Sequence, residues 1–313
     1  MTQDSKLDLS IILVNWNSHE VTREALKSIE RHVGDVGFET IVVDNGTTKD
    51  DGPDLIEKEF PGVKLIRNKE NLGFSKANNQ GIRIAKGRYV LLLNNDTAQT
   101  ENAMKKAVAF MDENPRIGAL GILHRNADAT NTPQRSWHCF PKPWREIGDL
   151  IGLGGGKERA APEPAEWTKE REVDWVCGSF LMMPRECLDG VGLLDERFFI
   201  YDEDVDWCLR ARRAGWRVYF WPGAEMIHVG SAARPHMRDK TFVHFRSHLS
   251  YFAKNHSKAA AVGYYAAMGI RLSLSGAGAL LRLARGRVGW SDVAERWRRL
   301  VQFVFLHPGR RGG

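Results

Sequence analysis

Apolar and polar positions alternate in blocks along the first hundred residues, and the length and spacing of each block predict its element. Residues 9–14 form a short apolar run between Asp8 and Asn15, as expected of a parallel strand buried on both faces. Val21, Leu26 and Ile29 then recur on one face of a helix, with Ser18 placed to cap it. A second apolar run, 40–43, ends in the turn signal Asp44-Asn45-Gly46. Leu55, Ile56 and Phe60 mark another helix, and residues 63–66 a third strand. A helix over 75–85 has Ala77, Ile82 and Ala85 as its apolar positions, and 89–93 is a fourth strand. The order β-α-β-α-β-α-β predicts an α/β fold with a parallel sheet. In such sheets the ligand site lies at the loops that follow the strand C-termini.

The pattern weakens after Asn94. A helix is predicted over 101–114, ended by Pro115, whereas residues 124–170 are rich in Gly, Pro and charge. That stretch reads as a long, mobile active-site loop or an acceptor-binding insertion. Regular structure returns over 174–183 and continues through an acidic segment to about His228, and 241–256 reads as a helix. From 259 to 283 the chain is apolar and Gly/Ala-rich, interrupted by Arg271 and Arg282. It suits a packed helical pair or an interfacial amphipathic helix whose arginines reach lipid headgroups. Arg271 near its centre argues against a membrane span.

Composition narrows the class. With 313 residues, 42% hydrophobic and 27% charged, the chain can bury one large core, and neither wholesale disorder nor a multi-span membrane protein fits. Cys139, Cys177, Cys187 and Cys208 are scattered with no C-x-x-C pair, which predicts reduced thiols and a cytoplasmic setting. Residues 1–8 are polar and run directly into a strand, so no signal peptide is expected. The net charge of +6 is uneven: nine arginines from Arg271 onward face only Asp292 and Glu295, a local +7, which leaves the rest at about −1. The basic character is C-terminal, and nucleic-acid binding is not indicated.

Candidate chemistry concentrates in residues 198–216. Asp202, Glu203, Asp204 and Asp206 crowd four carboxylates into five residues, next to Phe198, Phe199, Ile200, Tyr201 and Trp207. Like charges this close raise one another's pKa and resist burial, so the cluster marks either a solvated helix start or a working site. The aromatic neighbours favour the site. Asp206 is placed to cap the next helix or to pair with Arg210, Arg212 or Arg213. Elsewhere, the first strand runs into Val14-Asn15-Trp16-Asn17-Ser18 without a G-x-G-x-x-G, which disfavours a Rossmann dinucleotide site. Asp44 suits a ribose or base contact, or an Asx turn. Asp96, in Asn94-Asn95-Asp96-Thr97, suits an inner-sphere ligand for Mg²⁺ or Mn²⁺, or a helix N-cap. His228 gains weight as a ligand only beside such a metal.

Taken together these segments resemble glycosyltransferase family 2. The matching elements, in the family's order, are Ser10-Ile-Ile-Leu-Val-Asn-Trp-Asn17, Val42-Val-Asp-Asn-Gly-Thr47, Asn71-Leu-Gly-Phe-Ser-Lys-Ala-Asn-Asn-Gln-Gly81, Leu92-Leu-Asn-Asn-Asp-Thr97, Trp175-Val-Cys-Gly-Ser179, Asp202-Glu-Asp-Val-Asp-Trp207 and Ile227-His228. They span residues 8–256 and look closest to the rhamnosyltransferase-like, non-processive branch.

The resemblance implies a GT-A fold over 1–256, with a nucleotide-sugar-binding half at 8–123 and an acceptor-binding half at 124–256. Residues 257–313 would form a helical basic extension with peripheral membrane contact at the inner face of the cell membrane. Val14, Asn15 and Trp16 would line the nucleotide pocket and Asp44 would hold the base or ribose. Lys76 or Asn78 would approach the donor, and Asn95 the ribose or diphosphate. Asp96 and His228 would hold the metal. Asp204 matches the inverting general base, Glu203 would contact acceptor or donor, and Trp175, Cys177 and Gly178 would border the acceptor. Two departures stand out: the metal motif has one carboxylate where many relatives have two, and Asn45-Gly-Thr-Thr-Lys49 lacks the family's usual serine.

The expected activity is inverting transfer of a sugar, with dTDP-rhamnose as the first donor, to a glycan or lipid-linked acceptor in cell-surface polysaccharide synthesis. A nucleotidyltransferase is disfavoured because Asn15-Trp-Asn-Ser18 offers no basic, glycine-rich loop. A non-catalytic nucleotide-sugar-binding scaffold is disfavoured by Asp96, Asp204 and His228 occurring together.

Overall fold

Side chains along the first strand point alternately to two cores, and that alternation sets the architecture. The computed structural model describes residues 7–49, 51–128, 130–153, 169–230 and 240–304. Met1–Lys6, residues 154–168, Arg310 and Arg311 lie outside the described residues, and with them the centre of the expected 124–170 loop and part of the basic terminus. The chain divides into two units, Met1–Phe140 with Pro162–Arg238, and Pro141–Ala161 with Asp239–Gly313.

The first unit begins β1 (Leu9–Asn15), α1 (His19–His32), β2 (Phe38–Asp44), α2 (Gly52–Glu59), β3 (Lys64–Arg67), α3 (Phe74–Ile84), β4 (Tyr89–Leu93), β5 (Thr97–Ala98), α4 (Ala103–Glu113), β6 (Ile117–Asn126), β7 (Pro133–Gln134) and β8 (Trp137–His138). After α5 (Pro143–Leu150), which belongs to the second unit, it resumes with β9 (Arg171–Glu172), β10 (Trp175–Val176), β11 (Phe180–Pro184), α6 (Arg185–Val191), α7 (Glu203–Arg213) and β12 (Arg217–His228). The main sheet runs β3-β2-β1-β4-β11-β6-β12-β5, with β7 on β6 and β9 on β12. Strands β3, β2, β1 and β4 are parallel, as the sequence predicts, and β11 enters antiparallel beside β4.

Leu9, Ile11 and Leu13 face a core shared with Leu26 and Ile29 of α1, Ile56 of α2 and Met104 of α4. Ile12, Val43 and Leu92 face the opposite core, with Ala77 and Ile82 of α3, Leu188 of α6 and Trp207 of α7. Both faces of the central strands are therefore covered, and this is why they read as apolar runs rather than alternating ones.

Several local expectations change. Ser18 occupies the N-cap position of α1 but makes no side-chain cap bond, because its hydroxyl is used elsewhere. Asp96 does not cap a helix, since α4 starts at Ala103 with Asn102 before it. The stretch from 124 to 150, expected as part of a long active-site loop or an acceptor-binding insertion, carries the end of β6, then β7, β8 and α5.

The second unit contains α5, α8 (Lys240–Asn255), α9 (Lys258–Ala284) and α10 (Trp290–Val304). Its core is aromatic: Phe245 stacks on Tyr264 with centroids 5.0 Å apart, and Tyr265 on Phe303 at 4.5 Å. The segment expected as a packed helical pair or an interfacial amphipathic helix is the single 27-residue helix α9. Among the described residues no helix is long and apolar enough to cross a membrane.

Candidate functional site

The C-terminal ends of β1, β2 and β4 carry a connected set of small polar side chains. Asn15 Nδ2 donates to Asp44 Oδ1 at 2.9 Å, and Asn15 Oδ1 accepts from Thr22 Oγ1 at 2.9 Å and Ser18 Oγ at 3.3 Å. Asn95 Nδ2 donates to the same two hydroxyls, to Thr22 Oγ1 at 2.8 Å and to Ser18 Oγ at 2.9 Å. Asn15, Asp44 and Asn95, picked out separately in the sequence, thus form one network through Ser18 and Thr22. Thr47 stands where a serine was expected and holds Asp44 directly: its N–H donates to Oδ2 at 3.2 Å and its hydroxyl to Oδ1 at 2.5 Å. Asp44 therefore shapes an Asx-type turn while closing the strand end. Val14 and Trp16 are partly buried on either side of Asn15.

Asn45 does a job that the sequence did not disclose. Its Nδ2 donates to Asn71 Oδ1 at 2.8 Å, and its Oδ1 accepts from the Leu72 N–H at 3.0 Å and Asn68 Nδ2 at 3.1 Å. It ties the loop after β2 to the loop before α3. The density of Asn between 68 and 79 was the available signal, because buried amides need one another as partners. Gly73, at the start of α3, has φ +90°, and a Cβ there would lie 2.6 Å from Phe199 O. The next residue's N–H, on Phe74, donates to that oxygen at 2.5 Å. Lys76 is half-buried on α3, and its charge reaches Glu196. Asn78 is buried and donates back to Phe74 O at 2.9 Å.

Across the strand ends, Asp96 and His228 meet. Asp96 Oδ1 lies 3.3 Å from His228 Nε2, both side chains nearly buried, and the Val229 N–H donates to Asp96 O at 2.9 Å. Behind them His124 is buried with its ring 5.5 Å from that of His228 and with Nε2 unpartnered. Burial first, then the neighbouring His228, pushes the His124 pKa well below its usual value, so the ring stays neutral. Sequence reasoning missed His124, which reads as one polar residue in an apolar strand.

The acidic segment sits at the start of α7. Tyr201 and Asp202 are both left-handed, with φ of 72° and 65°, a conformation that non-glycine residues adopt at a cost. The two together turn the chain so that the helix opens on Glu203. Asp204 Oδ2 accepts the Gly178 N–H and Oδ1 the Val205 N–H, each at 2.8 Å. Burial, with Asp202 adding like charge, pushes Asp204 up to about 6 against those two bonds. Glu203 is buried with Oε2 unpartnered, and burial and then Asp204's charge hold it well above the usual carboxylate range. Asp206 is fully buried and pairs with Arg210 at 3.0 Å.

Of the three residues expected at an acceptor, Gly178 touches Asp204 directly. Cys177 is partly buried, its thiol pushed up by burial, and Trp175 stacks on His138 at 4.6 Å while donating to Cys139 O at 3.0 Å. The Asn94 N–H donates to Ser179 O at 3.2 Å, so the 178–179 turn joins the strand end that carries Asp96. The site thus brings a carboxylate poised near neutrality to the same edge as a carboxylate–imidazole pair.

Comparison with known proteins gives a consistent result. Residues 10–160 match the model of a family described as glycosyl transferase family 2. An N-acetylglucosaminyl-diphospho-decaprenol L-rhamnosyltransferase of Mycobacterium tuberculosis (strain ATCC 25618 / H37Rv) is 29% identical over 245 residues, covering 69% of this chain and 75% of that one. The rhamnosyltransferase WbbL of Escherichia coli (strain K12) is 25% identical over 259 residues, covering 78% and 92%. Among solved structures, the mannosyltransferase PcManGT from Pyrobaculum calidifontis, in complex with GDP-Man and Mn²⁺, superposes with a TM-score of 0.56 at 16% identity, over 96% of this chain and 88% of that one. GalNAc-T7 with UDP, GalNAc and Mn²⁺ gives 0.55 at 17% identity over 72% of this chain, which spans only 44% of that protein. The α/β fold is of the GT-A type.

Proposed function

We propose, from the match of residues 10–160 to the glycosyl transferase family 2 model, that the protein transfers L-rhamnose from dTDP-rhamnose, with inversion, to a lipid-linked glycan acceptor. The carrying observation is Asp204, a carboxyl group near neutrality that two backbone N–H groups hold at the strand edge shared with Asp96. The rhamnosyltransferase relatives supply the choice of sugar, and the acceptor in the Mycobacterium relative's name supplies the acceptor class.

In this reading the acceptor hydroxyl oxygen bonds to the anomeric carbon as the bond from that carbon to the diphosphate oxygen breaks. Asp204 takes the hydroxyl proton and the nucleoside diphosphate leaves with the bond's electron pair. A base with its pKa near the working pH combines ionisation with proton affinity, and such a base contributes roughly 10²–10⁴ in rate. Both Asp204 oxygens accept N–H bonds, which fixes the carboxylate plane and leaves its outer lone pairs for the acceptor. Glu203, kept neutral, serves as a hydrogen-bond donor to acceptor or donor sugar rather than as a second base. Trp175, Cys177 and Gly178 border the acceptor. Val14, Asn15, Trp16 and Asp44 line the nucleoside pocket, with Lys76, Asn78 and Asn95 toward the diphosphate.

Asp96 and His228 fit a divalent cation. Their 3.3 Å separation is close to the edge of about 3 Å between adjacent ligands of an octahedral ion bound at about 2.1 Å. Among the described residues no third His, Cys, Asp or Glu joins them, so the donor's diphosphate and water would complete the set. When bound, Mg²⁺ or Mn²⁺ supplies neutralisation of the leaving diphosphate charge. With a single carboxylate, metal affinity should depend on the nucleotide.

We assign 1–256 to catalysis and 257–313 to contact with the inner face of the cell membrane, where a lipid-linked acceptor resides. A thermal-shift panel of nucleotide sugars with Mn²⁺ tests the donor: dTDP-rhamnose should give the largest shift. Transfer to a polyprenyl-diphosphate-linked N-acetylglucosamine should then follow. Binding without transfer or donor hydrolysis would point to a scaffold instead.

A further inference from the structure

The carboxylate–imidazole pair works as a ligand pair only if His228 presents a lone pair, not a proton, at Nε2. Which nitrogen of a neutral imidazole is protonated is set by the partner at the other one. Here that partner is Gln134 of β7, whose Oε1 lies 2.5 Å from His228 Nδ1.

The orientation of the Gln134 amide follows from its surroundings. Its nitrogen end meets two acceptors: the main-chain oxygen of His228 at 3.4 Å and Asn126 Oδ1 at 3.1 Å. The carbonyl oxygen can only accept, so the group facing it must be Nε2. With Gln134 so oriented, Asn126 Oδ1 accepts from it and Asn126 Nδ2 donates to Thr132 Oγ1 at 3.0 Å. Gln134 therefore turns Oε1 toward His228, and an amide oxygen carries no proton. Nδ1 must supply it. The opposite nitrogen, Nε2, is left with its lone pair toward Asp96 Oδ1 at 3.3 Å, with Asn94 Nδ2 placed to donate to it at 3.4 Å. The register builds this arrangement: β7 pairs with β6, Gln134 opposite His124, and β12 pairs with β6 on the other side, His228 opposite Asn126.

We infer that Gln134 is a positioning residue that locks His228 in the Nδ1–H tautomer, so that Nε2 and Asp96 Oδ1 jointly face a cation. The inference rests on the metal assignment above for its purpose, but the tautomer itself exists without any metal. Two substitutions separate this role from a merely structural one. Gln134→Leu removes both the acceptor for His228 and the donor to Asn126. Gln134→Glu keeps the acceptor and loses the donor, so it rescues a tautomer role and not a scaffolding role.

The readout is a long-range ¹H–¹⁵N correlation spectrum of metal-free protein labelled at histidine nitrogens, with the His228 ring assigned from its disappearance in His228→Asn. Wild type and Gln134→Glu should show the Nδ1–H pattern, and Gln134→Leu should shift toward Nε2–H. Titration with Mn²⁺ in the presence of dTDP should show affinity about 10–100-fold weaker in Gln134→Leu. In Gln134→Glu it should return to within a few-fold of wild type. An Nε2–H ring in wild type, or an unchanged tautomer in Gln134→Leu, overturns the inference. A tautomer that shifts as expected while Mn²⁺ affinity ignores both Gln134→Leu and His228→Asn upholds the positioning role and removes the metal assignment.

Discussion

Burial acts on Glu203 and Asp204 alike and main-chain N–H groups favour ionisation at both, but Asp204 has both oxygens held by them whereas Glu203 has Oε2 unpartnered. The difference divides their labour. At neutral pH Asp204 is ionised and can accept a proton, while Glu203, held well above the usual carboxylate range by burial and then by Asp204's charge, keeps its proton more tightly and has one oxygen without a partner. Glu203→Gln should therefore be a near-isosteric replacement, with nucleotide affinity unchanged and kcat within about tenfold. Asp204→Asn should keep nucleotide affinity within a few-fold and lower kcat by roughly 10²–10⁴. Paired calorimetry and initial-rate measurements read both, and normal turnover in Asp204→Asn would sink the base assignment. The pH profile carries an independent check. Because the Asp204 pKa is raised to about 6, the base is lost as pH falls through that value. The rate constant kcat/KM should drop about tenfold per pH unit below it and level off above. The same shift makes the ionised group a cost to the folded state, absent below about pH 4 and complete above about pH 6.

At the scale of elements, the strands before Asn94 were legible because each is a short apolar run closed by a turn residue and covered on both faces. The same holds for α1 to α3, whose apolar positions recur at helical spacing. Strand β6 was not, although it lies at the centre of the sheet. Gly118 and Gly121 break its apolar pattern, and both are there for close approach: a Cβ would come within 2.6 Å of Trp216 and 2.7 Å of Val176. The proposed site stood out in the sequence where chemistry demands a residue type, as at Asp96, Asp204 and His228. It was hidden where side chains serve one another, as at Asn45, Thr22 and Gln134, since amide and hydroxyl partners carry no periodicity. Nor does a sequence reveal that Tyr201 and Asp202 turn left-handed before α7. Their loop is held from α3, where Phe199 O meets the Phe74 N–H over the bare Gly73. Gly73→Ala should lose at least about 2 kcal/mol, since it combines a left-handed alanine with a clash against main chain. A Tm lower by roughly 4–8 °C, with transfer impaired more than nucleotide binding, is the expected result. An unchanged Tm would show that the two loops are not coupled in this way.

For the whole molecule, the uneven charge acquires a location on the helical unit. Val262, Ile270, Leu274, Leu280 and Leu281 of α9 are exposed, between 41% and 66%. At about 100° per residue they fall within an arc of about 120° along one side of the helix. Arg271 and Arg282 lie beside that arc, and Arg285 and Arg287 follow the helix end. On α10, Trp290, Trp297 and Val301 are exposed among Arg296, Arg298 and Arg299. An apolar stripe bordered by arginines and carrying few acids complements an anionic bilayer surface, in which apolar side chains enter the acyl boundary and each arginine adds about 1 kcal/mol. The protein should therefore sediment with vesicles containing anionic phospholipid and far less with purely zwitterionic ones. Binding should weaken by tenfold or more between 0.1 and 0.5 M NaCl, because surface charges are screened at that ionic strength. Ile270→Glu with Leu274→Glu should reduce binding to a similar degree while transfer to a short, water-soluble acceptor is retained. Binding indifferent to lipid charge would remove the arginines from the account. A dimer in sedimentation equilibrium that dissociates on the same double substitution would give the stripe to a second copy of the chain instead.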